Sequence, residues 1–175
     1  MNKRQFLSLA AFALGTLSSG LSTTANDARK VQAAGAQFRW SHKNKRLTGH
    51  LSAPTNGWIA VGFNPDAALR NTRFVIAHIS RTHVRAEEHI ALVPGHRDVL
   101  ELGLTPALSD IRGIYGKNLS HLRFSLPHYI PGHADPDLPA LSLSPGSQVH
   151  LMLAWSHAPE FEHHSAWRKH FNITL

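Results

Sequence analysis

Histidine is the residue type that could carry the most chemistry in this chain. The sequence has 14 histidines among 175 residues and no cysteine. Imidazole ligates transition metals and exchanges protons near neutral pH. The lack of cysteine excludes disulfides, thiolate-ligated zinc, iron–sulfur clusters, covalently attached c-type haem and a thiol nucleophile. Any metal or cofactor chemistry must therefore depend on histidine rather than on thiolate.

The histidine spacing defines no established metal motif. The sequence contains neither an HExxH pair nor a His-x-His run. The densest segment, residues 157–170, holds four histidines together with Glu160 and Glu162. This segment could bind a divalent metal, so a His-rich periplasmic metal-binding protein is one hypothesis. Histidines elsewhere are expected to be core or surface residues with an ordinary hydrogen-bond partner.

Other kinds of chemistry find little support in the sequence. No G-x-S-x-G elbow, P-loop or dinucleotide fingerprint occurs, so we do not expect an enzyme. The formal net charge is +7, but the only dense basic run is residues 43–46 (KNKR), on a predicted hairpin tip. We therefore expect no nucleic-acid partner. A basic surface could instead face anionic lipid or an acidic redox partner.

The first 25 residues have the pattern of a signal peptide. A basic start at Lys3 and Arg4 precedes an apolar run at 6–17, which is too short to span a bilayer. Small residues at 23–25 predict cleavage after Ala25, with residues 26–35 as a short leader. An exported chain without cysteine suits the periplasm, with no transmembrane segment after processing. Both the general secretory route and the twin-arginine route remain open.

The rest of the chain is predicted to be a single all-β domain, residues 36–175. Its apolar runs are short, β-branched or aromatic, and separated by Pro, Gly and Asn. Residues alternate between apolar and polar at 119–126 and 148–157, as in half-buried strands. Residues 57–64 are apolar or small on both faces, which predicts a central strand covered on both sides. The pattern favours an immunoglobulin-like β-sandwich of about nine strands. The predicted strands are 36–40, 46–53, 57–64, 72–80, 83–93, 99–104, 119–126, 148–156 and 170–175.

An ordered set of motifs resembles the DOMON family, whose β-sandwich domains occur in dopamine β-monooxygenase-like proteins and in the cytochrome domain of cellobiose dehydrogenase. The resemblance covers residues 36–175. The motifs that carry it are, in order, Phe38 and Trp40, Leu47-x-Gly49-x-Leu51, Gly57-Trp58-x-x-x-Gly62-Phe63, Phe74-Val75-Ile76, Ala154-Trp155, His163-His164, Arg168 and Phe171-x-Ile173-x-Leu175.

The resemblance implies where a cofactor would bind. Cytochrome-type members hold a b-type haem between a Met and a His, and the His maps to His164, with His163 as the alternative. Neighbouring residues of an extended chain point to opposite faces, so only one of the two is expected to enter a pocket. Leu69 stands at the Met position, and Met152 is expected to point away from the main core. We therefore predict His78 as the second iron ligand.

The expected function is an exported binding module that holds haem b and passes electrons to a redox partner protein or a membrane cytochrome. Trp58 and Phe63 are expected to pack the pocket, and Gly57 and Gly62 to leave room for a flat ring. The alternatives are a haem-free module for a sugar or other small ligand, and the His-rich metal-binding protein.

Overall fold

The structure is a computed structural model that describes residues 29–134 and 137–175. The predicted signal peptide and its cleavage after Ala25 lie outside the described residues. Every regular element of the described part is a β-strand, and that part contains no helix long and apolar enough to cross a membrane.

Thirteen strands occur in the described residues. In chain order they are β1 (Arg29–Ala33), β2 (Ala36–Lys43), β3 (Arg46–Ala53), β4 (Trp58–Asn64), β5 (Arg73–Ile79), β6 (Val84–Ala91), β7 (His96–Asp98), β8 (Ser109–Gly116), β9 (Leu119–Pro127), β10 (Tyr129–Ile130), β11 (Leu141–Ser142), β12 (Gln148–Trp155) and β13 (Trp167–Thr174).

Two antiparallel sheets form a β-sandwich, which confirms the predicted all-β class. One sheet has the order β1-β2-β3-β9-β8, and the other has the order β13-β12-β4-β5-β6-β7. The short strands β10 and β11 pair separately. The two inner faces meet in one apolar core, built around Phe38, Phe63 and Phe124, each fully buried. Burial of these faces supplies most of the driving force for folding.

The six-stranded sheet is buried on both sides at its centre. All seven residues of β4 are buried, and β4 lies between β12 and β5. Its inward residues Ile59, Val61 and Phe63 join the main core, while Trp58 and Ala60 belong to a second apolar cluster on the outer face. The predicted two-sided burial of this strand is confirmed, and the outer cluster marks a second place where the sheet is covered.

The strand pattern differs from the predicted one in several places, and the short strands β7, β10 and β11 were not predicted. Residues 29–33 were placed in the leader, but they form β1 and pair with β2. Residues 99–104 form turns, because their apolar side chains pack into a small cluster with Ile90 rather than along a strand. The edge strand β8 was not predicted, because it contains glycines, a positive φ at Asp110 and a register shift.

The stability of the sandwich is expected to fall on mild acidification because of His42, at the end of β2. Its Nδ1 lies 3.2 Å from Nε2 of His128, and its buried Nε2 has no hydrogen-bond partner among the described residues. Burial lowers the pKa of His42 below its ordinary value of 6.5, and the nearby charges of His128 and Arg29 lower it further. Below pH 6.5 the unfolded chain therefore takes up this proton more readily than the folded chain.

The free energy of unfolding should accordingly decrease as pH falls from 7 towards the lowered pKa of His42. Urea unfolding at pH 7 and at pH 5 measures the decrease. The His42→Leu variant, which cannot titrate, should show a smaller decrease than the wild type. An equal pH dependence in the two proteins would contradict this assignment.

Candidate functional site

A cavity of about 680 Å³ opens on the outer face of the six-stranded sheet, within the range of about 300–1,000 Å³ that small-molecule sites span. Its floor is the second apolar cluster. The floor residues are Trp58, Ala60, Phe74, Ile76, Ala91, Met152 and Ala154. The outward residues of β4, β5 and β12 thus line the cavity by the same alternation that sends their neighbours into the main core. The small side chains among them leave space above the sheet.

The loop between β12 and β13, residues 156–166, forms one wall of the cavity. The loop is fixed at its start by a 2.6 Å hydrogen bond from Thr55 Oγ1 to the Ser156 carbonyl and a 3.0 Å bond from the Trp58 amide to the Ala158 carbonyl. Gly57 allows this close approach, because a Cβ there would lie 2.2 Å from the Ser156 oxygen. The cavity wall therefore depends on backbone packing at the start of β4.

Two side chains of the sheet hold the middle of the 156–166 loop. Trp58 Nε1 donates to the His163 carbonyl at 3.2 Å, and His96 Nε2 donates to the Phe161 carbonyl at 3.1 Å. The Phe161 ring is 1 % exposed, and the guanidinium of Arg85 lies 4.2 Å from its centre. The buried Phe161 ring therefore anchors the loop. The sequence analysis did not identify this role, because the only indication of it was a single aromatic residue among polar ones.

Both His163 and His164 line the cavity. The expectation that only one of them could enter a pocket is wrong, because the chain at 163–164 is not part of a strand and its side chains need not alternate. Their surroundings still differ. His163 Nε2 lies 3.7 Å from a carboxylate oxygen of Glu160, and its side chain is 64 % exposed. His164 has no such ion pair among the described residues and can turn to a group in the cavity.

The remaining predicted pocket residues divide between the two faces of the sheet. Trp58 lines the cavity as expected. Phe63 does not, because it points into the inter-sheet core and is fully buried there. Gly57 and Gly62 do not open the cavity either. A Cβ on Gly57 would meet loop backbone, and one on Gly62 would lie 2.5 Å from the Phe74 ring. Both glycines serve close packing rather than ligand space.

The predicted second ligand also lies elsewhere. His78 sits opposite Trp58 in the β4–β5 pairing, but it does not line the cavity. Leu69, at the position where the resemblance implies a methionine, does line it. Met152 points away from the main core, as expected, and this direction brings its thioether to the cavity floor. A sulfur ligand is therefore available from β12 rather than from the loop after β4.

Two further histidines line the cavity and were expected to be ordinary residues. The Nδ1 atoms of His89 and His96 lie 2.8 Å apart, and His89 Nε2 lies 2.9 Å from Glu87 Oε2. Burial lowers the pKa of His96, and the neighbouring His89 lowers it further. Burial by itself would raise the pKa of Glu87, but hydrogen bonds from Arg85 and His89 outweigh burial and lower it. The result is an ionised carboxylate beside two imidazoles.

The residues of the cavity fit a b-type haem. The floor is apolar, as a porphyrin face requires, and His164 offers imidazole nitrogen to iron. Arg97 and Arg168 line the same cavity and could pair with propionate carboxylates. The apolar floor, the imidazole of His164 and the two arginines are therefore the features that match a haem.

The fold has counterparts among solved structures. The sequence matches no protein-family model and no curated protein. The structure is similar to the cytochrome b domain of pyranose dehydrogenase from Coprinopsis cinerea, with a TM-score of 0.56 and 11% identity over 79% of this chain and 76% of that chain. It is also similar to the cytochrome domain of Myriococcum thermophilum cellobiose dehydrogenase, with a TM-score of 0.57 and 11% identity over 80% and 74%.

Proposed function

We propose that this chain, which has the fold of DOMON-type cytochrome domains, is an exported electron-transfer module that binds haem b in the cavity above the six-stranded sheet. The single observation that carries the proposal is the second buried face of that sheet. An apolar floor there opens into a cavity of about 680 Å³ rimmed by His163 and His164. The two similar structures are cytochrome domains by name, which supports the same assignment.

His164 and Met152 are the residues that we propose to hold the iron. His89 and His96 are not assigned to the iron, because their Nε2 atoms are directed at Glu87 and at the Phe161 carbonyl rather than at the apolar floor. Met152 belongs to the apolar floor of the same cavity and would offer a thioether, and Met/His ligation is an established arrangement for haem iron. His78, predicted from the sequence, lies outside the cavity and is replaced in this role.

Haem would supply a one-electron iron couple, and the chain itself would supply binding and orientation. The hydrogen bond from Trp58 Nε1 to the His163 carbonyl fixes the loop that carries His164. Phe74 and Met152, on the apolar floor, would keep water from a bound porphyrin. The module passes electrons to a redox partner or membrane cytochrome and turns over no substrate of its own. Cleavage after Ala25 and a periplasmic location are part of the proposal.

An absorption spectrum tests the proposal directly. Protein expressed with ample haem, or reconstituted with hemin, should show a Soret band and, after reduction, sharp α and β bands. A wild-type protein that is folded but shows no Soret band would overturn the cytochrome assignment.

A haem-free small-ligand module would then be the better description. The observation that favours it is Leu69, which lines the cavity at the position where the resemblance implies a methionine ligand. In that case the folded protein should bind a sugar or another small molecule without any visible absorption.

A further inference from the structure

Four side chains with nitrogen or carboxylate atoms that could ligate a metal or bond to a ligand meet on the outer face of β6 and β7. Glu87 and His89 are two residues apart on β6, and His96 and Asp98 are two residues apart on β7, so each pair shares one face of its strand. His89 lies directly opposite Asp98 in the antiparallel pairing. Ligand atoms of Glu87, His89 and Asp98 all lie within 4.8 Å of one another. Side-chain alternation along each strand and the register of the β6–β7 pair therefore bring one imidazole and two carboxylates together.

Hydrogen bonds fix the orientation of the two imidazoles. The Phe161 carbonyl only accepts, so His96 Nε2 carries a proton, and one further proton lies between the two Nδ1 atoms. His89 Nε2 faces Glu87 Oε2 at 2.9 Å.

A metal ion on His89 Nε2 would take the place of its direct contact with Glu87. His89 would then donate from Nδ1 to His96, and His96 would donate from Nε2 to the Phe161 carbonyl. The hydrogen bond between the two rings and the bond to the Phe161 carbonyl would both still be made. Metal-bound histidines usually donate their second ring N–H in this way, which fixes the ring and its tautomer.

The charges around the cluster favour a cation. In addition to Glu87 and Asp98, a third acidic residue, Glu162, interacts electrostatically with His96 and Arg85. Arg85 is a cation beside these groups, and it bonds to both oxygens of Glu87, with Nε 2.6 Å from Oε1 and Nη2 3.2 Å from Oε2. A metal ion on Oε2, beside His89, would replace the longer of these two contacts.

We propose that Glu87, His89 and Asp98 bind a divalent first-row transition-metal ion such as Zn²⁺, with His96 as the outer hydrogen-bond partner. Donors on one zinc ion lie about 2.0–2.2 Å from it, so two of them are at most about 4.4 Å apart. Small carboxylate rotations bring atoms within 4.8 Å to that separation. The proposed ligands lie on β6 and β7 rather than in the 157–170 segment, and His89 and Asp98 also line the cavity proposed for haem.

Calorimetric titration with Zn²⁺ tests the site. The wild-type protein should bind one Zn²⁺ tightly at pH 7. A visible spectrum recorded alongside reports haem content, so the outcomes for haem and for zinc are read separately.

The Glu87→Gln and Asp98→Asn variants should each bind Zn²⁺ at least about tenfold more weakly, because loss of even an outer partner costs about 10–100-fold. The matched control is His150→Ala. This substitution removes a second pair of bonded histidines, in which His150 Nε2 lies 2.9 Å from His170 Nδ1 and no carboxylate takes part. This control should keep the tight site. A wild type without a tight site, or unchanged affinity in both carboxylate variants, would overturn the proposal. Thermal unfolding of each variant checks that it is folded.

Discussion

Replacement of His164 by alanine is expected to abolish the low-spin haem spectrum of the wild-type protein. The substitution would remove the proposed iron–imidazole bond and leave only the apolar floor to retain the porphyrin. The reduced α and β bands should disappear, and the bound haem should fall well below one per chain or become high-spin. The Soret absorbance relative to protein concentration, measured after reconstitution with hemin, gives the result.

Three variants separate His164 from its neighbours. His163→Ala should have a mild effect, because that imidazole is largely exposed and lies near Glu160. Met152→Leu should retain haem but convert it to a high-spin form, since the apolar floor remains. His78→Ala should leave the spectrum unchanged, because His78 lies outside the cavity. If His163→Ala and His164→Ala both preserve the wild-type spectrum, the assignment of His164 is wrong.

The second large effect is expected on the free energy of unfolding, when Glu88 on the core-facing side of β6 is replaced. Glu88 and Arg73 form a buried ion pair, 2% and 7% exposed as whole residues. The other carboxylate oxygen accepts from the Ala107 amide at 2.7 Å and the Leu108 amide at 3.1 Å. The carboxylate therefore holds the segment that leads from one sheet to β8 in the other.

Glu88→Ala should lower the free energy of unfolding by about 3–5 kcal/mol, because it leaves a buried guanidinium without its partner. For a chain of this size the loss corresponds to a decrease in Tm on the order of 10 °C. Urea unfolding followed by circular dichroism measures it.

Glu88→Gln is the informative companion to that experiment. It keeps an oxygen for the two amides but removes the charge, so it should fall between Glu88→Ala and the wild type. Glu101→Gln, at an exposed glutamate, serves as the control and should change stability by less than about 0.5 kcal/mol. A Glu88→Ala protein within that margin would show that the ion pair contributes nothing net.

Local alternation allowed much of the fold to be predicted from the sequence. The pattern at 148–157 separates Val149 and Leu151 from Met152, and the structure places them on opposite faces of β12. The apolar composition of 57–64 likewise indicated a strand buried on both sides. These inferences succeed because side-chain direction in a strand is a property of neighbouring residues along the chain.

The same local rule failed where the chain leaves a strand. His163 and His164 both reach the cavity because they lie in a loop, where alternation does not hold. Residues 99–104 have apolar side chains that suggested a strand, but turn hydrogen bonds and a small apolar cluster determine their structure. A strand-like composition does not distinguish these cases, since contacts with distant segments decide them.

By itself, the sequence determined the fold class, the two-faced central strand and the abundance of imidazole without thiolate. Only the tertiary structure decided which histidines share a site. His89 and His96 are brought together by the β6–β7 register, and the hydrogen bond from His96 connects them to the 156–166 loop. The physical reason is that strand register and loop closure join residues far apart in sequence, and no local pattern encodes those pairings.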